Sequence, residues 1–310
     1  MVKADVILGI DIGGTHTKLG LVRKDGSLID FRKMRTDAMG DDPGPFMTRL
    51  YLQIGEIGAP FSGIGVSMHG ELSADERGTR LGFNTPALIG FDMVDALQSR
   101  YGCPVVVSND LMAHALGEYH FGAGLGVGRF MCMALGTGLG AAMIVDGKPL
   151  LIDGGNSGNT GMIILDPTAA RDSNGIRGSA EGLCGVAGIE ALAAQVYGRS
   201  TPAYEVIAGA GKDPHATEVM SQIGAYLGQT LASLSVIFYP HRIVLTGGTT
   251  AAGDVLLDAC RSTFDDLVGP FFRKITALPN STYHHAEIVL GKGGSDSGVR
   301  GAAVRLMEII

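Results

Sequence analysis

The chain has 310 residues, 45% of them hydrophobic and 18% charged, which is enough apolar content for a sizeable core and too much for a disordered chain; two domains are the expectation at this length. A formal net charge of −7 without any basic block argues against a nucleic-acid surface, which needs clustered Lys and Arg to neutralise phosphates. No apolar run reaches the roughly 18 residues that cross a bilayer and the amino terminus shows no secretory pattern, so no membrane partner and a cytoplasmic location are expected. The four cysteines, Cys103, Cys132, Cys184 and Cys260, lack any CxxC spacing and read as buried thiols rather than disulfides or metal ligands. The 48 glycines exceed what turns alone require and predict places where backbone approaches a ligand or another element closely.

In chain order, Val6–Ile12 reads as a strand running into Asp11-Ile12-Gly13-Gly14-Thr15, followed by a second apolar run and a hairpin turn at Asp25-Gly26. Such a turn presents backbone N–H groups and a hydroxyl to phosphate oxygens; Lys18 follows it closely, and Asp11 is placed to hold a hydrated magnesium ion. The same residues also suit an ordinary tight hairpin. Segments 61–68 and 103–108 read as buried strands, and 92–101 and 111–119 as helices by their apolar spacing. Asn109-Asp110 follows the strand Val105-Val106-Val107 directly. Its carboxylate therefore either caps the helix that follows or projects from a strand end as a base, and the two roles are compatible. Transfer of a phosphoryl group to an alcohol needs a base near the hydroxyl, and a carboxylate of ordinary acidity suffices.

Segment 130–148 repeats the layout of the first strand pair: an apolar strand, Gly136-Thr137-Gly138, a second strand, then Asp146-Gly147. Two glycine turns in matched settings suit a nucleoside triphosphate, which needs donors along more than one phosphate, and they imply two related halves facing one another across a cleft. Further on come a long helical pattern over 217–238, a strand at Arg242–Thr246, the turn Gly247-Gly248 on which a nucleotide can rest, and a closing helix over 298–310. Strands and helices alternate throughout, so the class is α/β.

These segments resemble the repressor, open-reading-frame and kinase (ROK) family of bacterial sugar kinases, within the actin-like ATPase and hexokinase superfamily. The resemblance rests on GIDIGGTHTKLGLV at 9–22, SND at 108–110, LGTGLGAAMIVDGKPL at 135–150, RIVLTGG at 242–248 and the closing GGSDSGVRGAAV. It implies a ribonuclease-H-like fold in each of two domains flanking a central cleft, 1–120 and 121–297, with the closing helix 298–310 returning to the first. It implies Asp110 as the catalytic base, Asn109 as a sugar contact, both glycine turns as phosphate loops, and Gly247-Gly248 as part of the adenosine site. Further substrate contacts are expected at Gly70 and at Asn84-Thr85, and His69, beside Gly70, is a candidate pocket residue. ATP, magnesium and a homodimer follow from the same resemblance. No helix-turn-helix precedes the first strand, so a kinase is expected rather than a repressor; a sugar- or nucleotide-binding sensor without turnover is the alternative.

The chain departs from the family where the family carries a Glu-x-Gly-His motif and, beyond it, a cysteine-rich zinc loop. Here Asn159-Thr160-Gly161-Met162 occupies the first motif and 172–181 the second, with Gly161, Gly175, Gly178 and Glu181 keeping their register. The four positions that would bind zinc are Met162, Asp172, Asn174 and Ser179, so no structural zinc is expected. Hydrogen bonding within the loop is the expected substitute, with a hard-cation site as the alternative. Asn159 and Glu181 are expected to reach the sugar, although Glu181 also suits the N-terminus of a helix over 182–192. With a carboxylate and an imidazole missing, the acceptor is expected to be a hexose of altered stereochemistry, an amino sugar or a cyclitol, phosphorylated at a primary, C6-type hydroxyl.

Overall fold

A computed structural model describes residues 6–82, 84–152 and 155–309. It opens with an antiparallel meander of β1 (Val6–Ile12), β2 (His16–Arg23) and β3 (Leu28–Arg35), whose turns fall at 13–15 and at Asp25-Gly26. There follow α1 (Gly44–Gly55), β4 (Ile64–Met68), the short pair β5 (Glu71–Leu72) and β6 (Thr79–Leu81), α2 (Met93–Tyr101), β7 (Val105–Asn109) and α3 (Asp110–Phe121). The bounds of α2 have local causes: the Asp92 side chain accepts from the Asp95 N–H, and Gly102 ends the helix in the left-handed region. The sheet runs β3-β2-β1-β4-β7, with β4 parallel to both β1 and β7.

The central strand β1 is buried on both faces, and its alternation sorts the core. Leu8, Ile10 and Ile12 point to one side and meet Phe46 and Leu50 of α1 and Met93 and Leu97 of α2. Ile7 points to the other side, where it meets Val299, Ala303 and Leu306 of the closing helix, residues 297–307. That helix lies almost on the strand backbones: a Cβ on Gly9 would fall 2.1 Å from the Val299 carbonyl oxygen, and one on Gly65 1.8 Å from that of Ala302. Close backbone approach thus accounts for glycines that no turn requires.

The chain continues with β8 (Arg129–Leu135), β9 (Leu139–Val145), β10 (Lys148–Pro149), α4 (Ala180–Cys184), α5 (Val186–Tyr197), α6 (Ala203–Gly209), α7 (Pro214–Phe238), β11 (Arg242–Thr246), α8 (Asp254–Thr276), β12 (Glu287–Leu290) and α9 (Ser297–Met307). The second sheet runs β10-β9-β8-β11-β12, with β11 parallel to both β8 and β12. Counted within each set of five, both sheets have the order third, second, first, fourth, fifth, so the repeat visible in the two glycine turns extends to the whole topology. By compactness the chain forms two units: residues 1–126, 142–158 and 292–310 in one, 127–141 and 159–291 in the other. Among the described residues no helix is long and apolar enough to cross a membrane.

The cysteines are free thiols. Burial pushes Cys184 far above the ordinary thiol range and Cys260 up to about 12, so both behave as small apolar side chains.

In the first unit, α3 and α9 are joined through Glu118, which has no solvent exposure. Its carboxylate accepts from the Ala123 N–H (3.0 Å), the Lys292 and Gly293 N–H groups (3.1 and 2.7 Å) and the Ser297 hydroxyl (2.9 Å). Truncation would remove the acceptor shared by these four donors, two of them, at Ala123 and Ser297, buried. Glu118→Ala is expected to lower the unfolding free energy by at least about 3 kcal/mol in urea denaturation, with Glu118→Gln losing less because it keeps one acceptor.

Candidate functional site

In the first unit the antiparallel register places Asp11 directly opposite Lys18. The Asp11 carboxylate is 5% exposed; one oxygen accepts from the Ser67 hydroxyl at 2.9 Å, and the other lies 3.5 Å from the Lys18 ammonium and 4.0 Å from His114 Nε2. A lone carboxylate already facing a cation is no cage for a bare divalent ion. It does suit a magnesium ion that keeps its water and is carried by nucleotide phosphates. Beyond Asp11 the chain turns at Gly13-Gly14-Thr15, where the Gly13 N–H reaches the His16 carbonyl and Thr15 stands exposed at the tip. Gly14 has no room for a side chain, since a Cβ would lie 2.5 Å from that of Asn84.

Asn109, not Asp110, caps α3: its Oδ1 accepts from the Leu111 N–H at 3.0 Å, while its Nδ2 donates to the Gly70 carbonyl at 2.7 Å. Asp110 is thereby the first helical residue, where a negative charge meets the positive end of the helix dipole. Its Oδ1 accepts from the Leu111 N–H at 2.9 Å and its Oδ2 lies 3.0 Å from His69 Nδ1, yet its side chain stays 26% exposed. Asn84 Nδ2 in turn lies 3.1 Å from His69 Nε2. Gly70 adopts φ 104° and passes so close to the Leu81 carbonyl that no other residue fits. Thr85 is only 1% exposed, beneath the turn that leads to the short helix Pro86–Leu88. Asp11, Lys18, Asn84, Asn109 and Asp110 are therefore gathered in one unit with the first glycine turn.

The second unit gathers the rest. Gly136-Thr137-Gly138 links β8 to β9 and, like the first turn, carries an exposed threonine. Gly138 leaves space for Glu181, whose Oε2 would sit 2.5 Å from a Cβ there. That oxygen accepts from the Leu139 N–H at 3.1 Å, while Oε1 accepts from Asn174 Nδ2 at 2.9 Å. Gly161, in the short helix that Asn159 opens, packs on the Leu139 carbonyl and the Glu181 Cβ. Gly247, at φ 94°, presses against Leu135 just before the glycine turn, whereas a Cβ on Gly248 would meet nothing within 4 Å.

The four positions of the family's zinc ligands also come together, without zinc chemistry. Asp172 accepts from the Ser179 hydroxyl, the Asn174 N–H at 2.8 Å and the Ile176 N–H at 2.9 Å, and Asn174 Nδ2 lies 3.9 Å from the Met162 sulfur. One carboxylate committed to donors, together with an amide, a hydroxyl and a thioether, does not fit a structural zinc site. Among the described residues no group of three or more His, Cys, Asp or Glu side chains is arranged to hold a metal ion.

Two contributions were not visible in the sequence, and a third was overlooked. Ser67 reaches Asp11 from a neighbouring strand, and Asn174 reaches Glu181 from an irregular loop; neither pairing has a sequence periodicity. His114 follows Asp110 by four residues, so it shares a helix face with it, and that spacing was a usable signal.

Partial burial raises the Asp172 carboxyl, but the Ser179 hydroxyl and the backbone N–H groups of Ile176, Asn174 and Gly175 outweigh this and hold it below the ordinary value of 3.8. A depressed carboxyl contributes stability above its unfolded value and loses it as pH falls through the folded one. Asp172→Asn is therefore expected to cost about 1 kcal/mol at neutral pH, modest because the group is only half-buried. The difference from wild type should vanish in acid below the ordinary aspartate range, as read by urea denaturation across a pH series.

A family model described as the ROK family matches residues 7–308. The chain is similar to a glucokinase of Thermotoga maritima, 27% identical over 98% of each chain. It is also similar to the N-acetylgalactosamine kinase AgaK of a Shewanella species, 29% identical over 96% of this chain and 95% of the relative. Its fold matches a ROK family glucokinase from Streptomyces griseus, solved in complex with glucose and AMPPNP, with a TM-score of 0.81 and 24% identity over 97% of this chain and 98% of that one. The architecture is accordingly that of two actin-like, ribonuclease-H-like domains.

Proposed function

The chain belongs to the ROK family, and on that premise we propose that it is an ATP-dependent sugar kinase in which Asp110 is the general base. The observation that carries this reading is the Asp110 carboxylate: it stands at the junction of β7 and α3, is hydrogen-bonded at both oxygens, and remains reachable from solvent. Each of its oxygens retains a further lone pair for an incoming hydroxyl. As the acceptor oxygen attacks the γ-phosphorus, the bond from that phosphorus to the β–γ bridging oxygen breaks and ADP leaves. The hydroxyl proton passes to Asp110. Because the proton moves late in such transfers, the base needs position more than unusual basicity.

Gly13-Gly14-Thr15 with Lys18 in the first unit, and Gly136-Thr137-Gly138 in the second, are assigned to phosphate oxygens; Gly247-Gly248 are assigned to the adenosine end. Asp11 would hold a hydrated magnesium ion, which when bound neutralises charge on the transferring phosphate. For the acceptor, Asn84, Glu181 and Asn159 are assigned as contacts. Asn109 supports the base as a helix cap while retaining one N–H for a hydroxyl, and Gly70 and Thr85 shape the backbone around it. The relatives named as glucokinases and as an N-acetylgalactosamine kinase support a hexose or amino sugar, and we assign the transfer to its primary hydroxyl. The retained carboxylate of Glu181, an acceptor only, favours a hydroxyl or an amide N–H at its side of the sugar. A homodimer is the expected assembly.

The decisive measurement is sugar-dependent ADP release over a panel of hexoses, N-acetylhexosamines and cyclitols. At least one acceptor should raise ADP release well above the water background, and Asp110→Asn should lower kcat on it by about 10²–10⁴-fold while leaving the KM for ATP unchanged. A ligand that binds without raising ADP release would favour the sensor instead.

A further inference from the structure

We propose that His69 is a positioning residue for the base: locked by Asn84 in its Nδ1-protonated neutral form, it fixes the Asp110 carboxylate by a hydrogen bond. This rests on the reading of Asp110 as the base. The three side chains form a line in the first unit, Asn84 Nδ2 to His69 Nε2 at 3.1 Å and His69 Nδ1 to Asp110 Oδ2 at 3.0 Å. An anionic carboxylate only accepts, so a neutral imidazole facing it must carry its proton on Nδ1. Nε2 is then a bare acceptor, and it needs a donor. The Asn84 amide nitrogen supplies one.

The opposite assignment does not hold together. With Asn84 turned to present its oxygen, Nε2 would carry the proton and Nδ1 would point a lone pair at the carboxylate. For a neutral ring, both hydrogen bonds are satisfied only in the direction Asn84 to His69 to Asp110. Each member of the line is anchored elsewhere. The His69 backbone N–H donates to the Ile12 carbonyl at 3.2 Å, Asn84 sits against Gly14 in the space a Cβ would fill, and Asp110 is pinned to α3 through the Leu111 N–H.

Two consequences follow. Since Nδ1 already carries a proton and Nε2 is occupied by Asn84, His69 is not the terminus of the hydroxyl proton; Asp110 keeps it, and His69 acts only by holding the carboxylate in place. The chain Gly14, Asn84, His69, Asp110 also links the first glycine turn to the base, so a substitution in the turn reaches the acceptor chemistry through packing as well as through phosphate contact.

The test uses what each replacement side chain can imitate. Asn can place an N–H where His69 has Nδ1, Gln places one nearer Nε2, and Ala places none. His69→Ala is expected to lower kcat on the order of 10²-fold through misplacement of the base, with the KM for ATP unchanged. His69→Asn should recover most of that loss and His69→Gln little of it. A kcat for His69→Ala equal to wild type, or rescue by Gln rather than Asn, overturns the proposal. A second measurement needs no turnover: two-bond ¹H–¹⁵N spectra of the histidine-labelled wild-type protein at neutral pH, with His69 assigned by its loss in His69→Asn, should show Nδ1 protonated and Nε2 bare. A bare Nδ1, or a ring carrying both protons, overturns the proposal even if the enzyme is active. Failure of the premise looks different: Asp110→Asn at full activity removes the assignment of the base while the tautomer result stands.

Discussion

The geometry of the first unit hangs on Glu118, a carboxylate without solvent exposure that accepts four hydrogen bonds. One helix carries both it and, at its first residue, Asp110. Through Lys292, Gly293 and Ser297, Glu118 secures the start of α9, and α9 in turn lies against β1 and β4 with glycines at the contacts. Asp11 ends β1, His69 follows β4, and Asp110 begins α3. The elements that α9 and Glu118 hold together are thus the ones whose ends carry Asp11, His69 and Asp110, so a buried charge worth little as net stability is well used as a constraint.

Within each unit the carboxylates named above stand on regular elements: Asp11 on β1 and Asp110 on α3 in the first, Glu181 on α4 in the second. Asp11 is held between the Ser67 hydroxyl and the Lys18 ammonium, Asp110 between a backbone N–H and an imidazole, and Glu181 between a backbone N–H and an amide. In each case a carboxylate is fixed by two partners and keeps capacity to accept more. Such prior fixing moves the ordering cost from the reaction to folding, where the whole core offsets it.

In the loop at 172–181 hydrogen bonds join the positions where the family pattern has metal ligands. Asp172 takes the central place by accepting from Ser179, Asn174 and Ile176, and Asn174 extends the network to Glu181. The four former ligand positions still converge because the glycines that shape the turns, Gly175 and Gly178, both remain at positive φ. The loop is held by hydrogen bonds to one carboxylate, so its integrity depends on that carboxylate staying ionised.

Much of this was legible in the residues alone. The glycine turns, the strand that delivers Asn109-Asp110, the repeat of one layout in two halves and the substitution of zinc ligands all depend on local chemistry and spacing, which a linear sequence carries in full. The strand at Arg242–Thr246 is found where its apolar run predicts. The helix predicted over 217–238 begins three residues earlier, because Asp213 caps it and Pro214 occupies its first turn. Only the tertiary structure decided that Asn109 rather than Asp110 caps α3, that Thr85 is buried, and that His69 and Asn84 form a line to Asp110. The last of these depends on side chains separated by 15 and 41 positions meeting across different elements. No periodicity records such a meeting; it exists only once the sheet has brought the strand ends side by side.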